Sequence, residues 1–259
     1  MAIAKKPAAD SGEVQIIEIN TGTITVAVVG STPLILNRMA EKAKRELLMP
    51  APKKTAADKA SKLKHDPMEE FRASPVRIRD DSAPTLLAVP ATAFKGAMRT
   101  AALDLPGAKK SQIGRLTYIP GEHIGIYGVP KVYSTIVRSA DMNRTPDVRT
   151  RCIVPKWAAL LSITFVKPLM REQALANLLA AAGITVGVGD FRPEKGAGNY
   201  GQFEVVASDD ARLVELLRTG GRAAQAAAMD APEAYDEDTE ELLSWFDVEV
   251  RRRGFKVAA

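Results

Sequence analysis

Four cations stand in two places where the neighbouring residues suit a phosphate group. Lys95 and Arg99 lie four residues apart in VPATAFKGAMR, Val89 to Arg99, where a strand is expected to end at Pro90 and a helix to begin. That spacing puts both side chains on one helix face, and the free N–H groups of a helix start add donors that favour anions. Arg192 and Lys195 stand in GVGDFRPEKGAGNYGQFEV, Gly187 to Val205, together with Phe191, Asn199 and Tyr200. Five glycines there, Gly187, Gly189, Gly196, Gly198 and Gly201, permit positive φ and close backbone approach, so that N–H groups can converge on an anion. Phe191 or Tyr200 could stack on a base. The chemistry on offer is binding rather than bond-making. Each motif also has a plainer reading: an amphipathic helix with solvated Lys and Arg, and a long decorated hairpin. GVGDFRPEKGAG has the wrong spacing for a dinucleotide fingerprint, no helix is expected to follow it, and no Gly-Lys-Ser/Thr marks a P-loop.

Material for catalysis is sparse. Metal-free acid–base chemistry wants a paired general acid and base, and the two histidines, His65 and His123, carry no sign of meeting. Both read as surface or turn histidines, and no catalytic residue is expected. One cysteine, Cys152, cannot form an intramolecular disulfide, fits a reducing cytoplasm and reads as a buried structural thiol. Two histidines and one cysteine also leave little for a soft-ligand metal site, so neither metal nor other cofactor is expected. No apolar run approaches the roughly 18 residues of a membrane span, and MAIAKKPAADSGEV lacks the apolar stretch of a secretory signal. The expectation is a cytoplasmic protein with no membrane partner.

Charge is distributed unevenly. From Asp230 onward there are nine acids against four bases, so this segment carries −5 and residues 1–229 carry +10 of the net +5. A basic body with an acidic end suggests a polyanionic partner, or subunits that meet charge to charge. The bases cluster. Between Arg38 and Lys64 there are nine against three acids, Lys42, Lys44 and Arg45 among them. A second cluster, Lys131, Arg138, Arg144, Arg149, Arg151 and Lys156, faces two acids.

The elements that must carry these residues follow from period and punctuation. TGTITVAVVG, Thr21 to Gly30, alternates and is β-branched, a strand ended by Pro33. ILNRMAEKAKRELL, 35–48, has helical spacing and leads into a lysine- and proline-rich loop. TLLAVP, 85–90, is a short strand, with Thr92 as N-cap of the next helix and Pro106-Gly107 as its stop. Residues 110–156 look like short β pieces, including two strands joined around Asp141–Asp147. AALLSITFV is a buried strand, and REQALANLLAAAG a helix capped by Gly183. ITVGVG and GQFEVV flank the glycine loop as strands, and ARLVELLRTG is a further helix. Residues 1–12 read as a flexible lead-in, 13–220 as one unit with insertions at 38–84 and 107–157, and 221–259 as an acidic linker and tail. Trp157 and Trp245 read as core or interface anchors. Stripped of its excursions, the order approaches βαββαβ, a ferredoxin-like α+β core with inserted basic hairpins and loops, as in RNA-recognition domains.

Three segments resemble the RAMP superfamily, the repeat-associated proteins that form the backbone of CRISPR effector complexes. VPATAFKGAMRTA is similar to the family's proline–small–small–x–Lys–Gly–x–x–Arg segment at the first helix of a ferredoxin-like core. GVGDFRPEKGAGNYGQFEV resembles its glycine-rich loop before the last strand, and TITVAVVGSTPL its opening strand. The matches lie at both ends of residues 21–207 in the right order. The resemblance implies a backbone-type subunit that binds single-stranded nucleic acid along its phosphates and stacks head to tail, with other effector subunits as further partners. It makes Lys95, Arg99, Arg192 and Lys195 phosphate contacts, and 131–156 a thumb-like hairpin reaching over a neighbour. Some backbone subunits cut RNA with an aspartate after the first strand, but residues 31–40 hold no acid here. The spaced Gly187 and Gly189, and Pro193-Glu194 where bases are usual, indicate a divergent member of phage or mobile-element type.

The expectation is therefore non-catalytic binding of single-stranded nucleic acid, RNA favoured, by a homo-oligomer that coats the strand. Three alternatives stay open on the sequence: a protein that anneals or coats single-stranded DNA, an enzyme acting on a nucleotide or RNA end, and an assembly subunit whose basic groove receives its neighbour's acidic segment.

Overall fold

A computed structural model of the chain describes residues 17–39, 44, 47–49, 65–138, 146–195 and 198–254. Its larger sheet grows from β1 (Asn20–Gly30), whose even-numbered side chains turn inward and whose odd-numbered ones are largely threonine. β1 pairs antiparallel with β9 (Ala158–Lys167) on one side and β10 (Phe203–Val206) on the other. Beyond β9 follow β6 (His123–Tyr127), β4 (Leu87–Pro90) and β3 (Val76–Arg77), while β5 (Thr117–Tyr118) pairs with the far end of β9. The order β10-β1-β9-β6 is that of a ferredoxin-like core, in which each strand lies antiparallel to its neighbours. The connecting helices are α2 (Ala91–Ala101), between β4 and β6, and α4 (Glu172–Thr185), between β9 and β10. The fold is thus mixed α+β with a ferredoxin-like sheet.

Helical spacing places Phe94, Ala97, Met98 and Ala101 on the inner face of α2, and Leu175, Leu178, Leu179 and Ala182 on that of α4. They meet Val28, Leu161, Ile163 and Phe165 from the sheet in one buried cluster. Phe203 closes it, edge-on to Phe94 at 5.4 Å and to Trp157 at 6.2 Å between ring centroids. Cutting Phe203 to alanine would cost about 3–5 kcal/mol, the usual penalty for a buried aromatic. On the opposite face α5 (Ala211–Thr219) covers Ala27, Val29 and Ala158 through Leu213. The uncovered remainder presents Thr23, Thr25, Ser162 and Thr164 beside the exposed Tyr118. RNA-recognition domains stack bases on several sheet aromatics, which this threonine-rich face does not offer.

A second, three-stranded sheet joins β2 (Leu34–Leu36), β8 (Pro146–Val154) and β7 (Lys131–Arg138). α1 (Pro67–Ala73) packs on β8, capped by Asp66 through a 3.0 Å bond from the Glu69 amide. α6 (Arg222–Asp230) and α7 (Glu237–Arg252) complete the described chain, with α3 (Lys110–Leu116) beside α2.

Several elements depart from the sequence reading. Leu34–Leu36 is a strand, not the start of a helix, because its three side chains are all buried and its backbone pairs with β8. Lys110–Leu116 is a helix rather than a β piece. The α2 N-cap is Pro90, and Thr92 lies exposed inside the helix, because the Ala91 amide bonds to Glu122 O at 2.8 Å and carries strand pairing straight into the helix. Gly183 does not end α4. It is buried within the helix, where a Cβ would collide with the Phe203 carbonyl, so close helix–strand packing requires the glycine. The segment before the glycine loop is the end of α4 followed by turns, so the loop is no hairpin tip. The acidic stretch is α7 itself: Asp236 accepts from the Thr239 amide at 2.9 Å, and Glu237, Asp238 and Glu240 complement the dipole of the first turn.

Candidate nucleic-acid interface

The outer side of α2 carries the half-buried Lys95 and the exposed Arg99 with Gly96 beside them, and a Cβ added to Gly96 would meet no atom within 4 Å. Neither cation has an ion-pair partner among the described residues. Arg99 lies along α3, so that a Cβ on Gly114 would come within 2.9 Å of its Nε. The first turn of α2 has no side-chain cap, and its first amide, that of Ala91, is taken by Glu122 O at 2.8 Å.

The glycine loop lies beside this helix. Its short 3₁₀ turn, Pro193–Lys195, brings Glu194 to Thr100, whose hydroxyl donates to Oε1 at 3.3 Å. Glu194 also accepts from Arg192 Nε at 2.8 Å, and Arg192 Nη1 donates to Gly189 O at 2.8 Å. Burial pushes the Glu194 carboxyl up, but the Arg192 hydrogen bond and charge outweigh it and hold the carboxyl below its ordinary range. Arg192 is therefore turned inward as a clamp, while Lys195 is exposed without an ion-pair partner among the described residues.

Two glycines make the loop's closure possible. Gly201 has φ of +72° and its amide donates to Pro33 O at 2.8 Å. Gly198 packs so tightly on the Phe191 carbonyl that a Cβ would overlap it. Phe191 itself has φ of +52°, a conformation that costs a non-glycine residue energy. Its ring is held 5.1 Å from the Arg151 guanidinium. Gly187 and Gly189 also take positive φ. Together these turns enclose a cleft of about 420 Å³ whose walls include Asn37, Arg38, Pro90, Ala93, Asp190 and Arg192.

Asp190 organises the cleft's far wall. Its Oδ2 accepts from Asn37 Nδ2 at 2.9 Å and lies 3.0 Å from Arg151 Nη1, and its amide donates to Ile35 O at 3.0 Å. The Arg151 contact is an ion pair by distance, but its angle makes no hydrogen bond, so Nη1 stays unsatisfied among the described residues. Burial lowers the Arg151 pKa, and the Asp190 charge opposes that shift. Tyr200 leans on Tyr133, hydroxyl to hydroxyl at 3.4 Å, and Tyr133 packs edge-on to Tyr235 at 5.7 Å. The hydrogen bond to Tyr133, and then burial, raise the Tyr200 pKa.

The sequence candidates thus separate. Lys95 and Arg99 on α2 and the exposed Lys195 form no ion pair among the described residues, and Asn199 is exposed in the glycine loop with Lys195. Arg192, Arg151 and Arg149 are paired with Glu194, Asp190 and Asp147, the last at 2.9 Å. Phe191 and Tyr200 each have a cation or ring neighbour. Arg138 ends β7, Lys44 is half-buried, and Lys42, Arg45, Arg144 and Gly196 lie outside the described residues.

Sequence reasoning missed two groupings. Asn37 and Arg38 enter the cleft because 34–36 is a strand, and a three-residue apolar run gives period too little to decide on. His65 is not a lone surface histidine: Nδ1 lies 2.6 Å from Glu70 Oε1 and Nε2 2.8 Å from Asp147 Oδ1. Glu70 also accepts from the Thr150 amide at 3.1 Å, so this cluster ties α1 to β8. Asp147 is 82 residues from His65, beyond any local signal.

Fold and site together define an α+β protein with a ferredoxin-like sheet and an open, cation-bearing helix face beside a glycine loop. No protein-family model matches the sequence, and no curated protein does. Among solved structures, the chain is similar to the crystal structure of Cmr6 from Pyrococcus furiosus at 11% identity, over 72% of this chain and 98% of that one, with a TM-score of 0.36. At so low a score the fold assignment rests on the strand order itself.

Proposed function

We propose that this protein binds single-stranded nucleic acid, RNA in preference to DNA, without cleaving it, and coats the strand as a homo-oligomer. The observation that carries the reading is the α2 surface, where Lys95 and Arg99, with Lys195 in the adjoining glycine loop, are held in no ion pair among the described residues. Phosphates are the ligand such a surface suits, and the positive end of the α2 dipole favours an anion near its first turns. The RNA preference, the head-to-tail stacking and a place among other effector subunits follow from the resemblance to RAMP segments. Base contacts contribute little, since Phe191 and Tyr200 are engaged within the fold and the open sheet face is threonine-rich. With six to ten phosphate contacts, affinity falls on the order of 10³–10⁵ between about 50 and 200 mM salt.

The test is a variant with Lys95, Arg99 and Lys195 all replaced by alanine, titrated against several single-stranded sequences by fluorescence anisotropy. We expect weaker binding to every sequence alike and a salt slope flatter by about 2, at about 0.7 per lost contact. Unchanged affinity and slope in a folded variant would remove α2 from the interface.

A further inference from the structure

Two unpartnered surfaces on this chain complement each other. The first is a groove of about 980 Å³ between α4 and the segment leading through α3, with Leu105, Leu169 and Met170 on its floor and sides. Its rim carries Lys109, Arg115 and Arg171, and none of its lining residues is acidic. Of the acids next to lining residues in the chain, Glu172 is turned to Lys167 at 3.3 Å and Asp104 is exposed beside Leu105. The second surface is the outer side of α7. Thr239 and Val250 bury its inner side, and the Thr239 hydroxyl accepts from the Ser134 amide of β7 at 3.2 Å, so the helix is fixed in place. Asp238, Glu241, Trp245 and Val248 recur at intervals of three and four and therefore share one face. Trp245 is 60% exposed and Val248 66%, and neither acid has an ion-pair partner among the described residues.

We infer that the groove receives the α7 stripe of a second copy of this chain. Trp245 and Val248 cover the apolar floor, while Asp238 and Glu241 meet the Lys109, Arg115 and Arg171 rim. Charge complementarity selects this occupant: an apolar groove whose charged lining residues are all cations is matched by an apolar stripe whose N-terminal half carries Asp238 and Glu241, while Arg252 at its far end is held by Glu249 at 2.7 Å. An exposed tryptophan beside apolar neighbours is also the residue type that most often anchors an interface. Groove and stripe lie on different elements, the groove on α3 and α4 and the stripe on α7, so one copy can offer each to a different neighbour. Such a contact is heterologous and propagates into an open chain unless its rotation closes a ring. The inference deepens the strand-coating reading and rests on it for the assembly's role, while the contact itself needs no nucleic acid.

Sedimentation velocity without nucleic acid tests it. Wild-type protein should grow beyond a dimer as concentration rises. Trp245→Glu alone, and Leu169→Glu with Arg115→Glu, should each weaken self-association at least about tenfold. Circular dichroism checks that these surface substitutions leave the fold intact. The decisive arm mixes the two variants: one keeps the groove and the other the stripe, so the mixture should form 1:1 dimers and stop there. Wild type that stays monomeric at every concentration, folded variants that assemble like wild type, or a mixture that gives no dimer would each overturn the inference. Because nucleic acid is absent, failure here leaves the α2 surface untouched, and failure of nucleic-acid binding leaves this contact standing.

Discussion

Lys95 and Arg99 are neighbours on one face of α2, and Gly96 leaves the surface beside them low. Glycine inside a helix costs about 1 kcal/mol against alanine, yet the space above Gly96 is empty. Gly96→Ala should therefore raise stability by up to about 1 kcal/mol in urea unfolding. Gly96→Glu should fold normally but lose at least about tenfold in nucleic-acid affinity, by placing an anion beside the two cations. Equal affinity in the glutamate variant would mean that the strand does not cross this face. The identity of these residues was legible in the sequence, but their availability was not. Lys195 and Arg192 sit three apart in one loop, and only the folded loop shows that one is exposed and the other clamped to Glu194. Arg151 likewise reads as a surface base on a hairpin, whereas its side chain is only 13% exposed and faces Asp190, 39 residues further on.

The glycine loop owes its shape to contacts with α2, β2 and its own backbone. Glu194 is the hinge of that arrangement, joining Arg192 to Thr100. Glu194→Gln should release Arg192 and remove an anion, raising nucleic-acid affinity about three- to tenfold in the same anisotropy titration. A fall in affinity would show that the clamp positions the loop rather than withholding a cation. Because the Glu194 carboxyl is held below its ordinary range, the clamp's contribution is complete above the unfolded carboxylate pKa and is lost as pH falls through the lowered folded value. Binding should therefore show no step from this group between about pH 6 and 8. Regular elements with long periods were read correctly from sequence: β1, β9, α5, and the β7 and β8 pair. Short or tertiary-determined ones were not. Ile184 to Gly189 alternates like a strand, yet α4 runs on to Thr185 because Gly183 lets it pack against Phe203. The DEDTEE run looked like a linker by charge, though an aspartate cap followed by acids is also how a helix starts.

For the molecule as a whole, the C-terminal helices belong to the folded body. Gln225 of α6 is fully buried and accepts from the Leu86 and Leu87 amides at 2.7 and 3.0 Å. Its Nε2 donates to Ile126, Gly128 and Gly220 carbonyls at 2.6, 3.0 and 3.0 Å, closing the end of β4 and β6. Gln225→Ala would strand these partners at once and should cost about 3 kcal/mol or more in urea unfolding. A loss under about 1 kcal/mol would mean that water replaces the amide. The acidic segment stays close to the basic body: Lys131 pairs with Glu233 at 3.1 Å, and the Tyr235 amide bonds to Val132 O at 2.8 Å. That juxtaposition lies beyond sequence reading, since charge counts show an imbalance but not which surfaces it covers. The most direct test of the central claim is a salt titration of wild-type binding to matched single-stranded RNA, single-stranded DNA and duplex DNA. We expect tight, steeply salt-dependent binding to single strands, strongest for RNA. Preference for duplex, or no binding to any of the three at low salt, would contradict it.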